Sequence, residues 1–360
     1  MWNRSHIFRV SIRVKGKPMS MITIDDIARE AGVGKSTVSR VINGSGYVSE
    51  KTRTAVSKVM ERLNYQPSSA ARSLSRRESD IIGLILPEVN NPFFSDILKG
   101  VSQMIDKQGY TLMLSSNEND PVKDMRALRA MISQRIRGLV FIPANDYSEE
   151  PFRSELTQLL NSLDCPIVIL DRPLEQYSYD TVMTDNYGSA FAATEALIQA
   201  GHKRVGIVAG DMKLYIGRER YEGFTNALKV NGLKLDPRDV IDGQFNEQIA
   251  YEKTLELLRS GNYPTGFLIC NNLSTFGFLH AVSDLKLRIP EDVAFISFDK
   301  LMGQDIFNIP YSYLDRHVFT QGVQAMQVLY RRINSADGRP AETIVNLAEI
   351  VLKGSERFMR

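Results

Sequence analysis

Basic and hydroxyl-bearing side chains cluster on one face of a short helix that the sequence predicts over residues 35–43. The face opposite its apolar residues carries Lys35, Ser36, Ser39 and Arg40. When such a helix lies in the DNA major groove, side chains near its start contact base edges, and an arginine can bind guanine through two hydrogen bonds. These residue types therefore predict that Lys35, Ser36 and Arg40 contact DNA bases.

Other hydroxyl and amide side chains nearby suit the phosphate oxygens of DNA, which fix the register of a protein on the duplex without specifying a sequence. They are Thr37, Ser39, Asn43, Ser49 and Thr52. Any one of them alone is better explained as an ordinary solvated residue. Their concentration in and just after one helix favours DNA binding.

Three short helices must position these side chains. Thr23 is a natural N-cap with Asp26 in the first helical turn, and Gly32 accepts the left-handed backbone at which a first helix ends. A turn through Gly34 leads to the second helix, and Ser49 caps a third. A helix, a short glycine-bearing turn and a second helix form the helix-turn-helix pattern, whose second helix enters the major groove.

Residues 67–79 are predicted to form a hinge helix and a linker. Pro67 disfavours helical backbone just before it, and the small residues that follow allow two such helices to approach closely. In this segment Leu74 is suited to a wedge between base steps in the minor groove, and a plain linker leucine is the alternative. The predicted DNA-contacting set therefore also includes Tyr65, Ser68, Ala71 and Leu74.

The charge of the chain is unevenly distributed although its net value is only +2. Residues 1–80 contain 15 Lys and Arg against 7 Asp and Glu, a net charge of +8. The remaining residues contain 29 basic and 35 acidic side chains, a net charge of −6. Positive charge concentrated in the head predicts attraction to DNA phosphate and steep salt dependence, and the acidic body is not expected to bind DNA.

The composition, 360 residues with 43% hydrophobic and 24% charged side chains, is that of a soluble protein of two or three domains. No apolar run approaches a membrane span, so we expect a cytoplasmic protein without a membrane partner. Cys165 and Cys270 are expected to be buried thiols, with no disulfide, metal site or cofactor. Residues 1–20 carry five basic residues and no acidic one, and predict a disordered extension upstream of a natural start at Met19 or Met21.

From Asp80 onward, short apolar runs alternate with amphipathic stretches, which predicts parallel sheets covered by helices on both faces. The expected strands are Ile81–Leu86, Leu139–Ile142, Ile167–Leu170, Val205–Val208, Phe267–Ile269 and Val293–Ile296. The expected helices are Pro92–Gln108, Asp120–Arg135, Tyr187–Ala200 and Arg220–Asn231. Ligands bind at the carboxyl ends of such strands. Polar residues follow the strands at Glu88–Asn91, Asp171–Arg172, Gly210–Asp211, Asn271–Asn272 and Asp299–Lys300.

The head and hinge resemble the lactose-repressor family, also called the galactose-repressor family, of bacterial regulators. The matching stretches are TIDDIAREAGVGKSTVSRVIN, VSEKTR, LNYQPS and AARSL, and the resemblance continues to about Gly354. It implies a helix-turn-helix domain over residues 21–66, a hinge over 67–79 and a two-lobed α/β body like periplasmic sugar-binding proteins over 80–360. The lobes are expected at 80–182 with 313–338 and at 183–312 with 339–360, with crossings near Val182, Tyr313 and Arg339.

The resemblance also implies a set of effector-binding residues in the cleft between the lobes. They are Phe93, Asp171, Arg220, Asn271 and Asp299. Carboxylates and amides can bind neighbouring hydroxyl groups, and an aromatic ring can cover the face of a sugar. An ion pair between the lobes is the alternative reading for Arg220 and for Asp299.

Together these features predict a homodimeric transcriptional repressor that binds a near-palindromic operator and is released by a sugar. The segments Met212–Tyr215, NNLSTFGFLHA and FISFDKL resemble the maltose-repressor branch and favour maltose or a maltodextrin. The alternative is a corepressor-dependent regulator that responds to a purine or another metabolite. A transport protein would need a signal sequence and no DNA-binding head. An enzyme is not expected, because phosphate-binding glycine loops, G-x-S-x-G elbows and metal-ligand clusters are missing from the sequence.

Overall fold

The computed structural model describes residues 22–43, 45–65, 79–301, 303, 310–335 and 338–359, without the side chain of Asn43. The chain divides into two compact units, Met1–Arg77 and Glu78–Arg360. The predicted extension over residues 1–20 and the predicted hinge residues Ser68, Ala71 and Leu74 lie outside the described residues.

The first unit contains three helices, α1 (Ile24–Ala31), α2 (Lys35–Asn43) and α3 (Glu50–Arg62). The Thr23 side chain accepts the Asp26 N–H, and the Asp26 carboxylate accepts the Thr23 N–H at 2.9 Å, so both residues satisfy backbone donors at the start of α1. Gly32 ends α1 with a left-handed φ of 65°. Ser49 caps α3 through the Thr52 N–H. These caps and bounds agree with the sequence prediction.

A small apolar core holds the three helices together. Ile27 of α1, Val38 of α2 and Val56 of α3 are fully buried, one from each helix. Further apolar side chains pack around them, among them Val41, Ile42, Met60 and Leu63. This core fixes the orientation of α2, because its apolar stripe faces inward and its polar face must then point outward.

The N-terminal lobe of the second unit is a parallel sheet covered by helices. Its elements in chain order are β1 (Ile81–Leu86), α4 (Pro92–Gln108), β2 (Thr111–Ser116), α5 (Pro121–Ser133), β3 (Gly138–Phe141), α6 (Phe152–Asn161), β4 (Ile167–Leu170) and β5 (Asp180–Thr184). A later strand, β11 (Thr343–Asn346), pairs with β5, and the strand order is β11-β5-β4-β3-β1-β2. The strands β1, β3 and β4 are buried on both faces, as their continuous apolar runs predict.

The C-terminal lobe repeats this plan. Its elements are α7 (Asn186–Gln199), β6 (Val205–Ala209), α8 (Tyr215–Val230), the 3-10 turn Pro237–Asp239, β7 (Val240–Asp242), α9 (Glu247–Arg259), β8 (Gly266–Ile269), α10 (Asn272–Asp284), β9 (Ala294–Ser297), β10 (Tyr313–Asp315) and β12 (Glu349–Val351). The strand order is β12-β10-β9-β8-β6-β7. All described pairs in the two sheets are parallel except β10 with β12, which is antiparallel.

The chain crosses between the lobes after β5, after β10 and between β11 and β12. The first two crossings lie close to the predicted positions, but the third lies after Asn346 rather than near Arg339. Residues 343–351 form two strands rather than one, because β11 joins the first sheet and β12 the second. An alternating pattern specifies extended backbone but not the sheet with which each half pairs.

After the second crossing, α11 (Val318–Asn334) returns to pack on α4 of the N-terminal lobe. Glycines allow the two helices to approach closely. A Cβ on Gly100 would lie 2.2 Å from the Phe319 carbonyl oxygen, and one on Gly322 would lie 2.4 Å from the Ile97 carbonyl oxygen. Helices within the described ranges are too short or too polar to cross a membrane.

Candidate functional site

The head presents a polar face on α2, as the sequence predicts. Lys35, Ser36 and Arg40 are exposed, whereas Thr37 and Ser39 are half-buried. The Lys35 ammonium lies 2.5 Å from the Asp25 carboxylate of α1. Lys35 must therefore exchange this exposed ion pair for a DNA contact, which costs little because solvent screens the pair.

Two of the predicted phosphate-contacting residues have a role in the fold. The Ser49 hydroxyl caps α3 and lies 2.8 Å from the Thr52 hydroxyl. Their position at the helix start still favours an anion, because unpaired N–H groups and the positive end of the helix dipole meet there. Tyr65 packs at the edge of the head core.

Tyr47 is an exposed residue of the head that the sequence reasoning missed. It is 91% exposed in the turn between α2 and α3, beside Gly46, whose left-handed backbone lies against the Arg40 side chain. A large aromatic side chain left in water, one residue from the glycine that lies against a predicted base-contacting arginine, is a candidate for stacking or phosphate contact. Its sequence signal was weak, since a tyrosine after two small residues is also typical of an ordinary turn.

In the second unit, all five predicted effector-binding residues line a single recess between the two lobes. They are Phe93, Asp171, Arg220, Asn271 and Asp299. The recess has an empty volume of about 410 Å³, part of it open to solvent. Asp171 follows β4, Asn271 follows β8 and Asp299 follows β9, so the carboxyl ends of both sheets face this space.

Arg220 lies inside α8, because that helix begins five residues earlier than the sequence predicted. Its guanidinium donates to Asn186 Oδ1 at 2.8 Å and to the Cys270 carbonyl oxygen, and its Cζ lies 3.8 Å from the centre of the Phe298 ring. Burial, with the nearby positive charge of Arg316, lowers the pKa of Arg220 to about 10. The groups that hold the Arg220 guanidinium are thus neutral: an amide oxygen, a carbonyl oxygen and an aromatic ring.

Asp299 is paired with Arg316, a residue that the sequence reasoning missed. Arg316 Nε donates to Asp299 Oδ1 at 3.0 Å, Nη2 donates to the same oxygen, and Asp299 Oδ2 accepts the Asn272 N–H at 3.0 Å. Arg316 follows the three-residue strand β10, which is too short to stand out in the sequence. Asp299 therefore forms an ion pair with Arg316, which follows β10 of the same sheet, and not the ion pair between the lobes that was considered for it.

Phe245 is a second recess residue that the sequence reasoning missed. It follows β7 with a left-handed φ of 56°, and its carbonyl oxygen accepts the Asn271 side-chain N–H at 3.3 Å. A Cβ on Gly210 would lie 1.9 Å from the Phe245 ring, so the ring needs a glycine beneath it. Asp171 has a similar φ of 64°. Non-glycine residues in this conformation are strained, and such strain clusters at ligand sites.

Three further side chains that were not in the predicted set hold the recess together. Asn272 donates to Asn91 Oδ1 at 2.7 Å and so connects the lobes. Arg172 donates to Asn119 Oδ1 at 2.8 Å and to the Pro143 carbonyl oxygen at 3.0 Å. The polar clusters after the strands contained all three, but only the tertiary structure separates lining residues from their neighbours.

Outside the recess, two sequence predictions have clear outcomes. Cys165 and Cys270 are free thiols, but only Cys270 is fully buried, whereas Cys165 is half-buried at the end of a loop. His202 has a structural role. Its ring nitrogens lie 2.8 Å from the Thr265 hydroxyl and 3.1 Å from the Glu356 carbonyl oxygen, so it joins the C-terminal segment to the second sheet.

A DNA-binding helix-turn-helix and a two-lobed ligand-binding body define a class of ligand-responsive regulators, and two family models agree with this class. Residues 23–68 match the bacterial regulatory proteins of the lacI family, and residues 79–353 match the periplasmic binding proteins and sugar binding domain of the LacI family. The chain belongs to the LacI family of bacterial transcriptional regulators. It is a DNA-binding, effector-binding repressor-type protein and not an enzyme.

Similar proteins include curated repressors and solved structures. The HTH-type transcriptional repressor PurR of Pasteurella multocida (strain Pm70) is 32% identical over 87% of this chain and 92% of its own. PurR of Histophilus somni (strain 2336) is 31% identical over 94% and 100%. A transcriptional regulator CelR–cellobiose complex has 27% identity over 93% and 99%, with a TM-score of 0.68. The lac repressor dimer bound to operator and the anti-inducer ONPF, at 21% identity over 94% and 100% with a TM-score of 0.80, shares the fold.

Proposed function

We propose that this protein is a homodimeric repressor that binds a near-palindromic operator in cytoplasmic DNA and whose operator affinity is set by a small molecule in the cleft. The observation that carries the proposal is the recess lined by residues of both lobes in a chain that begins with a helix-turn-helix. A ligand that contacts both lobes binds one lobe arrangement better than another, and it can therefore shift the equilibrium between them.

On the DNA side, we assign base contact to Lys35, Ser36 and Arg40, with Arg40 as the principal reader. Its side chain is exposed and has the fork geometry that matches guanine. We assign phosphate contacts to hydroxyl and amide side chains of the head and hinge. They are Thr37, Ser39, Asn43, Ser49, Thr52, Tyr65 and Ser68, with Ala71 and Leu74 in the minor groove.

As the effector, we favour a purine or a related metabolite that acts as a corepressor over maltose or a maltodextrin. The repressors named PurR support it, since they match nearly the whole length of this chain at 31–32% identity. The Phe245 ring supports it as well, because a half-buried aromatic face on the recess suits a flat ring system. The CelR–cellobiose complex keeps a disaccharide as the second candidate.

The experiment begins with selection of a binding sequence from random DNA by the purified protein. Operator affinity is then measured with hypoxanthine, guanine, maltose or cellobiose added. Tighter operator binding with a purine supports the corepressor role, and weaker binding with a disaccharide supports the inducer role. Failure to enrich any sequence, by the protein alone or with any of these four compounds present, would contradict the repressor function itself.

Arg40→Ala is the variant that tests the DNA face. We expect it to weaken binding to the selected operator by about 1–3 kcal/mol and to relax specificity at one base pair. Arg129→Ala is the matched control, because Arg129 forms an exposed ion pair with Glu155 on the body. Equal losses on operator and random DNA would contradict base reading by Arg40.

A further inference from the structure

Besides Nε of Arg172, two buried polar atoms of recess-lining side chains have no hydrogen-bond partner among the described residues. One is Oδ1 of Asp171, whose side chain is 2% exposed, and the other is Nη1 of Arg316, whose side chain is 3% exposed. They lie 3.5 Å apart without the geometry of a hydrogen bond. They form an ion pair, but a buried acceptor and a buried donor that make no hydrogen bond are each unfavourable, so this arrangement calls for a third group that hydrogen-bonds to both.

The atoms come from different lobes, and their neighbours hold them in place. Arg316 is fixed by its two hydrogen bonds to Asp299, by the Phe93 ring 4.0 Å from its Cζ, and by Gln321, which donates to the Arg316 carbonyl oxygen at 2.7 Å. Asp171 is fixed by its strained backbone and by the hydrogen bond from its N–H to the Val182 carbonyl oxygen at 2.8 Å. Both side chains are therefore held in place before a ligand binds.

We propose that Arg316 is an effector-binding residue and that it forms, with Asp171, a donor–acceptor pair that recognises one polar edge of the effector. The edge must accept a hydrogen bond from Arg316 Nη1 and donate one to Asp171 Oδ1. An oxopurine meets this requirement with its adjacent ring N–H and carbonyl, and a sugar meets it with one hydroxyl group. A bound effector would then bridge the two lobes at this point.

The pair also predicts that this edge of the effector is uncharged. The guanidinium of Arg316 already faces the carboxylates of Asp171 and Asp299 within hydrogen-bond or ion-pair distance. A negative ligand group here would compete with those carboxylates, and a positive one would lie against the guanidinium. A neutral group with both a donor and an acceptor avoids both penalties.

This inference rests on the proposed function, and calorimetry with four probes tests it separately from DNA binding. The probes are hypoxanthine, guanine, maltose and cellobiose. For whichever probe binds, Arg316→Lys and Asp171→Asn should each lower its affinity at least tenfold. Because both atoms bind one ligand edge, the double variant should lose far less than the product of the two single losses.

Arg218→Gln is the matched control, because Arg218 forms a different inter-lobe ion pair, 3.0 Å from Asp146, outside the recess lining. We expect its effect on probe affinity to stay below threefold. An equal loss in Arg218→Gln would show that Arg316 acts only through lobe closure and would overturn the proposal.

A test on the wild-type protein avoids any folding defect in the variants. If hypoxanthine binds, 1-methylhypoxanthine, which lacks the ring N–H donor beside the carbonyl, should bind at least tenfold more weakly. If a disaccharide binds instead, the same loss is expected for one of its deoxy analogues. Full binding by every such analogue, or binding of none of the four probes, would overturn the inference, while operator selection would still test the repressor function.

Discussion

Asn272, at the start of α10, donates a hydrogen bond of 2.7 Å to Oδ1 of Asn91, at the start of α4, and so joins the two lobes across the recess. The same Oδ1 atom accepts the Phe93 N–H at 3.1 Å and caps α4. Both asparagines are buried. The orientation of a recess-lining aromatic residue is thus coupled to the closure of the lobes by a single amide oxygen.

Asn272→Ala should favour the open arrangement of the lobes. The variant loses one buried inter-lobe hydrogen bond, worth about 1 kcal/mol, while Asn91 keeps its capping contact. Small-angle scattering of the ligand-free protein should then show a larger radius of gyration than wild type. Asn334→Ala, at an exposed site at the end of α11, is the control. Identical scattering curves for the two variants would contradict a closing role for Asn272.

Gly210→Ala should weaken effector binding without unfolding the body. The added methyl group would overlap the Phe245 ring, which must swing out of its place in the recess. We expect at least a tenfold loss of affinity for the bound probe in calorimetry, with unchanged binding to operator DNA in its absence. Gly338→Ala, where a Cβ meets no atom within 4 Å, is the control. Unchanged probe affinity would mean that Phe245 does not contact the effector.

Asp25→Asn should strengthen binding to DNA. It removes a negative charge from the head and frees Lys35 from an ion pair of 2.5 Å. We expect operator affinity to rise several-fold, and the slope of log affinity against log salt concentration to steepen by about one unit. Asp236→Asn, which breaks an exposed ion pair with Arg238 on the body, serves as the control for net charge. The same slope in both variants would mean that the freed Lys35 ammonium does not contact DNA.

Asp124 makes the stability of the N-terminal lobe depend on pH. Burial raises its pKa to about 6, although hydrogen bonds from Tyr147, Ala144 and Asn117 oppose the shift. Between about pH 4 and pH 6 the folded state therefore binds a proton that the unfolded state releases. The free energy of unfolding falls as pH rises through this window, by up to about 3 kcal/mol, and is then constant.

Denaturant unfolding at pH 4, 5, 6 and 7 measures this effect. The difference in unfolding free energy between wild type and Asp124→Asn should fall from pH 4 to pH 6 and then level off. Other titrating groups are common to both proteins and cancel in the difference. A difference that is flat across the range would show that Asp124 is ionised in the folded protein throughout.

The head shows how far local sequence signals reach. Thr23, Gly32 and Ser49 specify helix ends through contacts within a few residues, and the apolar spacing of α2 decides which face is buried. The sequence therefore predicted the orientation of Lys35 and Arg40 correctly. It could not predict the ion pair between Lys35 and Asp25, because that contact depends on the angle between two helices.

The body shows where local signals end. The buried strands β1 and β4 and the helix α4 have long, distinctive patterns, and their predicted bounds match the structure. The short strands β7 and β10 carry too few residues for a pattern. Because Phe245 and Arg316 follow these short strands, neither residue was predicted to lie in the recess.

The sequence by itself determined the class of this protein, its two-part organisation and the five residues now found together in the recess. Periodicity, caps and strand-end residues encode these features locally, and the family resemblance supplied the rest. Only the tertiary structure decided that Asp299 pairs with Arg316, that Phe245 rests on Gly210 and that the last strands divide between two sheets. Each of these outcomes depends on distances between segments far apart in the chain, which packing of the whole core sets.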